Sequence, residues 1–342
     1  MSTSPSIRQV ARHAGVSVAT ISRVLNGKGP VRDETRALVL AAVAELGYVP
    51  HNAARALSTR RTLCLGIVLP DLHGEFFSEI VRGMDREASR LGYLLLLSNF
   101  HPDTDQAALG LRAMRGRVDG LLVMAPHVTP EALEKALPSG LPALLINCPG
   151  EALDRPSLRL DNVDGAEAVV RHLAGQGRKR IAHIAGPEGN LDAQERRQGY
   201  LKAMAEHAPN VEPRIIEGNF TEEAGEAAAA ILAGERGEHD AVFAGNDMMA
   251  IGCLQGLKAA GIAVPGEIAV AGFDDVPLAR YLGLTTVRVR IAELGARAID
   301  RLVGRLNGGE ERIANELHTP ELVVRATSAG APISPERGAP NG

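Results

Sequence analysis

The sequence predicts an N-terminal all-α helix-turn-helix domain followed by an α/β, two-lobed domain with parallel sheets, and three observations carry that expectation. The first is charge. The 342-residue chain has a formal net charge of only −4, yet residues 1–62 hold nine basic residues against three acids, a balance of +6 that leaves −10 for the rest. A basic head on an acidic body points to a head that meets a polyanion and a body with another role. The second is periodicity, helical through the head and alternating between short apolar runs and amphipathic segments beyond residue 63. The third is composition: 45% hydrophobic and 23% charged residues are usual for a globular protein, and about 270 residues after the head suffice for more than one core.

The head elements follow in order. Ile7, Val10, Ala11 and Ala14 share one helical face, the pattern breaks at Gly15, and it resumes with Val16, Ile21, Val24 and Leu25. Two short amphipathic helices joined by a glycine-containing turn form the helix-turn-helix pattern. Ala11 is small where the helices cross, Gly15 accepts a positive φ, and Ser17 can cap the second helix. With Ile21 and Val24 turned to the core, Val18, Ala19, Ser22 and Arg23 face outward. A third helix is expected over Asp33–Leu46, opened by Asp33-Glu34 and closed by Gly47. The Ala-rich stretch Tyr48–Ser58 places Pro50 at a helix start, but about nine residues make only a marginal helix alone. It is expected to order when something packs against it. On this pattern alone, a three-helix domain with a solvated basic face is the competing reading.

The run Ile7-Arg-Gln-Val-Ala-Arg-His-Ala-Gly-Val-Ser-Val-Ala-Thr-Ile-Ser-Arg-Val-Leu-Asn-Gly27, followed by Asn52-Ala-Ala-Arg-Ala-Leu57, resembles the lactose/galactose repressor family of bacterial transcription factors. The similarity runs through almost the whole chain. The resemblance implies that the second helix enters the major groove of double-stranded operator DNA. Val18 and Ala19 would then offer methyl contacts and Arg23 a bidentate contact to guanine, while the hydroxyls of Thr20 and Ser22 suit phosphate. Ser17, Asn26, Asn52 and Arg55 complete the expected DNA-facing set. Leu57 would wedge into the central base step from paired hinge helices. A palindromic operator bound by a homodimer follows from that geometry.

In the body, strands are expected at Cys64–Leu69, Tyr93–Ser98, Gly120–Met124, Ala143–Asn147, Ile181–Ala185, Ala241–Ala244 and Ile268–Phe273. Between them, Phe76-Phe77-x-x-Ile80-Val81-x-x-Met84 and Ala166-x-x-Val169-Val170-x-x-Leu173 have helical spacing. Strand–helix alternation implies parallel sheets covered on both faces. Two such runs, split near Asp161 and resumed near Ile181, imply two lobes. The resemblance implies a periplasmic-binding-protein-like fold with chain crossings near residues 160, 290 and 322, and a ligand cleft at the carboxyl ends of the strands. The expected organisation is a DNA-binding domain over 1–48, a hinge over 49–61, an effector-binding and dimerisation domain over 62–330 and a disordered tail over 331–342. That tail has no leucine heptads, which favours a dimer over a tetramer.

The cleft is expected to carry Phe76, Phe77, Phe220 and Phe273 on its rim, although each is also compatible with a core position. Asn147, Asp161, Asn190, Asp192, Arg196, Asn246 and Asp274 match contact positions of the family, and Asp71, His73 and Glu75 lie in the first strand-to-helix loop. Carboxylates that accept from hydroxyls, beside amide and guanidinium donors, suit a small polyhydroxylated effector. The acids outnumber Arg196, which favours a neutral carbohydrate over an anion. A nucleoside or purine is the alternative, although the second arginine of purine-responsive relatives is Asn190 here. Arg196 as a structural salt bridge, and Asn246, Asp247 and Asp274 as loop caps, are the competing structural readings. One departure from the family is Val289, where relatives often carry an amide.

Other classes lose support. There is no G-x-G-x-x-G after a strand, no G-x-x-x-x-G-K-[ST] and no G-x-S-x-G elbow, and the ten histidines are scattered. An enzyme is not expected, nor is any cofactor or metal. Cys64, Cys148 and Cys253 lack zinc spacing and read as buried thiols of a reducing compartment. No secretory signal and no apolar run of roughly 18–20 residues is seen, so a cytoplasmic location without a membrane partner is expected.

Overall fold

The computed structural model describes residues 5–26, 29–48, 61–70, 72–99, 110–148, 155–309 and 315–329, and the chain divides into two compact units, Met1–Thr62 and Leu63–Gly342. In the first unit, α1 (Ile7–His13), α2 (Val18–Asn26) and α3 (Asp33–Glu45) enclose a small core of Val10, Ala11, Ile21, Val24, Val39, Ala42 and Tyr48. Ser6 and Gln9 form a capping box at the start of α1. Gly15 turns the chain at φ +63°, and the Val16 amide closes the turn on the Ala11 carbonyl at 3.0 Å. His13 of α1 meets Glu45 of α3 at 2.7 Å, tying first helix to third.

The second unit has two α/β lobes. In the first, β1 (Cys64–Leu69), α4 (Glu75–Arg90), β2 (Leu94–Asn99), β3 (Gly120–Met124), α5 (Pro130–Ala136), β4 (Ala143–Ile146) and β5 (Ser157–Leu160) follow in order. The second lobe comprises α6 (Asn162–Gly175), β6 (Ile181–Ile184), α7 (Leu191–His207), β7 (Arg214–Ile216), α8 (Glu222–Gly234), β8 (Ala241–Ala244), α9 (Asp247–Ala259), β9 (Ala269–Ala271) and α10 (Pro277–Tyr281). Then β10 (Thr286–Arg288) leads into α11 (Ile291–Leu306), β11 (Glu316–His318) and β12 (Glu321–Val323). All strands of the first sheet are parallel, in the order β11-β5-β4-β3-β1-β2; the second sheet, also parallel, runs β7-β6-β8-β9.

The chain crosses between lobes three times. It leaves the first sheet after β5, returns through β10 into α11, and crosses again between β11 and β12, where β12 pairs antiparallel with β10. These crossings fall beside the expected positions. Close helix packing anchors the return: a Cβ on Gly83 of α4 would sit 1.9 Å from the Ala292 carbonyl oxygen of α11, so only glycine permits that approach.

Several expectations need correction. The strand expected to reach Asn147 stops at Ile146, because Asn147 takes φ +45°. The first sheet is not covered throughout, since Leu94 on edge strand β2 is 65% exposed. Cys148 and Cys253 are buried thiols whose pKa burial pushes up to about 12, whereas Cys64 is only half-buried. The hinge residues 49–60 and the tail 330–342 lie outside the described residues.

Candidate functional site

On the head, α2 presents an outward face opposite Ile21 and Val24. Val18 is 41% exposed, Ala19 and Arg23 are exposed, and Thr20 and Ser22 are half-buried. Ser17 caps the helix, its Oγ accepting from the Thr20 amide at 3.1 Å and lying 2.9 Å from the Thr20 hydroxyl. The face is thus fixed by the turn and the cap together, with one guanidinium and two small apolar side chains displayed. The side chain of Asn26, and Asn52, Arg55 and Leu57, fall outside the described residues.

In the body, a cavity of about 190 Å³ opens between the lobes at the carboxyl ends of their strands. From the first lobe it is lined by Pro70, His73, Gly74, Phe76 and Phe77 after β1, and by Met124 and Pro126 at the end of β3. From the second come Asn190, Asp192 and Arg196 on the first turns of α7, Phe220 and Thr221 before α8, Asn246 and Met248 after β8, and Asp274 after β9. Most of the residues expected here on sequence grounds are therefore brought together: Phe76, Phe77, Asn190, Asp192, Arg196, Phe220, Asn246 and Asp274, with His73 of the first loop beside them. Asp71 lies outside the described residues.

Asn147 and Asp161 do not line this cavity. The positive φ of Asn147 turns its side chain back, so that Oδ1 accepts from the Leu160 amide at 3.0 Å and ties β4 to β5. Asp161 caps α6, accepting from the Asp164 amide at 3.0 Å. Phe273 is not on the rim either; it is fully buried, with the Arg196 guanidinium stacked 3.9 Å above its ring. Val289 is also outside the cavity. Conversely, Met124, Pro126, Pro187, Asn219, Thr221 and Met248 line the cavity and were not singled out from sequence. Their one legible signal is position, each standing at or just beyond a strand's carboxyl end or a helix start.

Charge in the cavity is concentrated and largely buried. Arg196 and Asp274 are each 5% exposed and approach to 3.3 Å between Nη2 and Oδ1. The pair is not aligned as a hydrogen bond, so among the described residues no donor satisfies Asp274 Oδ1. Burial pushes the Asp274 carboxyl up to about 7, against the pull of Arg196, and burial likewise raises Asp192. Arg196 is held from behind: its Nε donates to Asn162 Oδ1 at 2.9 Å and its Nη1 to the Gly245 carbonyl at 2.6 Å. Asn246 caps α9 through the Met249 amide at 2.9 Å and donates to the Phe220 carbonyl at 3.0 Å, which fixes Phe220 at φ +70°. Around the mouth the lobes touch: His73 meets Glu222 at 3.2 Å, Glu75 accepts from the Leu278 amide at 3.0 Å, and the Leu191 amide donates to the Pro126 carbonyl at 2.8 Å. A small ligand here would contact both lobes.

A helix-turn-helix unit on the same chain as a two-lobed body with a polar interlobe cavity defines a class: DNA-binding proteins that carry a small-molecule receptor. Comparison with known proteins makes the assignment specific. The family described as bacterial regulatory proteins, lacI family, matches residues 6–51, and a periplasmic binding protein-like domain matches residues 170–328. The HTH-type transcriptional regulator GalS of Salmonella typhimurium is 36% identical over 329 residues, covering 94% of this chain and 96% of the relative. Among solved structures, the Lac repressor dimer bound to operator and the anti-inducer ONPF superposes with a TM-score of 0.86 at 28% identity, covering 96% of this chain and all of that one. A transcriptional regulator CelR–cellobiose complex superposes with a TM-score of 0.67 at 30% identity, covering 94% of this chain and 99% of that one. The chain belongs to the lacI family of bacterial regulatory proteins and is a ligand-responsive, DNA-binding transcriptional regulator.

Proposed function

We propose that this regulator is a repressor that binds a palindromic operator as a homodimer and is switched by one small neutral sugar held in the interlobe cavity. The observation that carries the effector reading is the buried Asp192–Arg196–Asp274 group. Two carboxyls share one guanidinium whose Nε and Nη1 are already committed to the protein. An anionic effector would find two carboxyls beside a single guanidinium already held by the protein in a buried site, whereas sugar hydroxyls can donate to Asp274 Oδ1 and Asp192. Phe76, Phe77 and Phe220 supply apolar surface for the flat face of a ring. The acids are read as acceptors for binding, not as a catalytic pair, in line with relatives that are regulators.

The DNA reading rests on the outward face of α2. Dimerisation is supported by apolar side chains left exposed on both lobes: Leu94, Leu96 and Leu97 of β2, and Leu278, Tyr281 and Leu282 at α10, with Tyr281 74% exposed. We read the protein as acting in the cytoplasm, where a chromosomal operator would lie; no described helix is long and apolar enough to cross a membrane. The test is a thermal-shift screen of monosaccharides, disaccharides and nucleosides, repeated with a palindromic duplex bearing a central CG step. A neutral sugar that stabilises the chain and alters duplex binding supports the reading. Stabilisation by nucleosides alone, or duplex binding by no preparation, would defeat it.

A further inference from the structure

We propose that Asn162, which lies outside the cavity, is the positioning residue that sets the direction of both Asp192 and Arg196 and thereby the hydrogen-bonding specificity of the site. The inference rests on the sugar reading above only for its ligand readout.

Asn162 opens α6 immediately after the first crossover and is 1% exposed. Its amide Nδ2 donates to Asp192 Oδ1 at 2.8 Å and to Glu195 Oε2 at 2.9 Å, and its Oδ1 accepts from Arg196 Nε at 2.9 Å. The three partners stand at positions i, i+3 and i+4 of α7, so they share one helix face and one amide reaches them all. The amide has a single workable orientation. Rotated by half a turn it would aim its oxygen at two carboxylates and its NH₂ at a guanidinium, losing every one of these bonds. Behind it, Glu195 is ion-paired with Arg159 of β5, so the group is braced against the first lobe's sheet.

The consequence for the cavity is directional. Pinning Nε and Nη1 fixes the plane of the Arg196 guanidinium over Phe273 and turns Nη2 toward Asp274. Burial raises the Asp192 carboxyl, and Arg196 and then the Asn162 amide oppose that rise, which favours Asp192 as an acceptor for a donor in the cleft. Removing the Asn162 amide frees the arginine from its acceptor and removes a donor from a buried carboxylate. An aspartate at that place keeps the acceptor for Arg196 but adds a third carboxylate beside Asp192 and Glu195.

The experiment uses the full chain and three probes, D-galactose, D-ribose and cellobiose, titrated by calorimetry from pH 5.5 to 8.5. For a sugar that the wild type binds, Asn162→Ala is expected to weaken binding at least about tenfold. Asn162→Asp is expected to show an affinity that falls more steeply with rising pH than that of the wild type, as the added carboxylate ionises. A sugar-free crystal structure of Asn162→Ala is expected to show the Arg196 guanidinium displaced from the Phe273 ring; Asn162→Ser serves where the alanine chain does not fold. Wild-type affinity and pH slope in both variants, or an unmoved Arg196, would overturn the proposal. If the wild type takes none of the three sugars, the sugar reading fails for them, and the crystal structure still decides the role of Asn162.

Discussion

Asp274→Asn removes one buried titratable group while keeping the shape of the side chain. Asp274 carries a carboxyl that burial raises from 3.8 to about 7. Well below pH 4 the folded and unfolded chains both hold this proton, and the group contributes nothing. Between pH 4 and pH 7 the unfolded chain releases the proton while the folded chain keeps it, so stability falls as pH rises. At about 1.4 kcal/mol per pH unit, the span from 3.8 to about 7 caps that loss at about 4 kcal/mol, complete above pH 7. The asparagine chain has no such titration. Its stability relative to the wild type is therefore expected to rise between pH 4.5 and 7.5, by at least about 2 kcal/mol after relaxation around the site. For a body of this size that is on the order of 4 °C or more in Tm. Because the chain lacks tryptophan, circular dichroism melts without ligand at half-unit pH steps are the assay. Profiles that run parallel within about 1 °C across the range would refute the claim that burial governs this carboxyl.

Arg178 is 4% exposed and donates to the carbonyls of Asp240, Glu267 and Pro265 at 3.2, 3.2 and 2.6 Å; Arg178→Ala should cost about 3 kcal/mol in urea unfolding and leave sugar affinity unchanged. Gly83→Ala places a Cβ 1.9 Å from the Ala292 carbonyl, and should lower stability by roughly 1–3 kcal/mol or more as α4 separates from α11. Gly304→Ala, an exposed helical position with nothing within 4 Å of the added Cβ, should instead raise stability by roughly 0.5–1 kcal/mol. Arg23→Ala should weaken operator binding by about 1–3 kcal/mol in fluorescence anisotropy with an unchanged melting profile, since the side chain is exposed.

The head was legible almost residue by residue because each landmark answers a single steric demand. Gly15 takes the positive φ, Ser17 caps, and Ile21 and Val24 fill the core. The five- and six-residue apolar strands β1 and β3 were legible for the same reason, as buried runs between turn signals. The three-residue strands β7, β10, β11 and β12 were not, since they are short, partly polar and defined by partners far along the chain; β11 pairs with β5 across more than 150 residues. In the cleft, the topological rule located the right strand ends but not side-chain direction. Asn147 and Asp161 both stand at a strand's carboxyl end, yet one turns back to Leu160 and the other caps α6. Met124 and Met248 were missed because an apolar residue at a strand end or helix start reads the same whether it faces core or cavity. Asn162 follows Asp161 without any motif of its own, and only the three-dimensional arrangement brings its amide against three charged groups.

The central claim is that the interlobe cavity controls the head's grip on DNA, and the most direct measurement is duplex affinity with and without a cavity ligand. Fluorescence anisotropy of a palindromic duplex at fixed salt should show the affinity of the full chain changing at least about fivefold, within the usual coupling of roughly 1–3 kcal/mol, when a sugar that stabilises the chain is added. The same sugar should leave Arg196→Ala without a response while that variant still binds the duplex. An affinity for the duplex that is identical with and without a sugar shown to occupy the cavity would contradict the account.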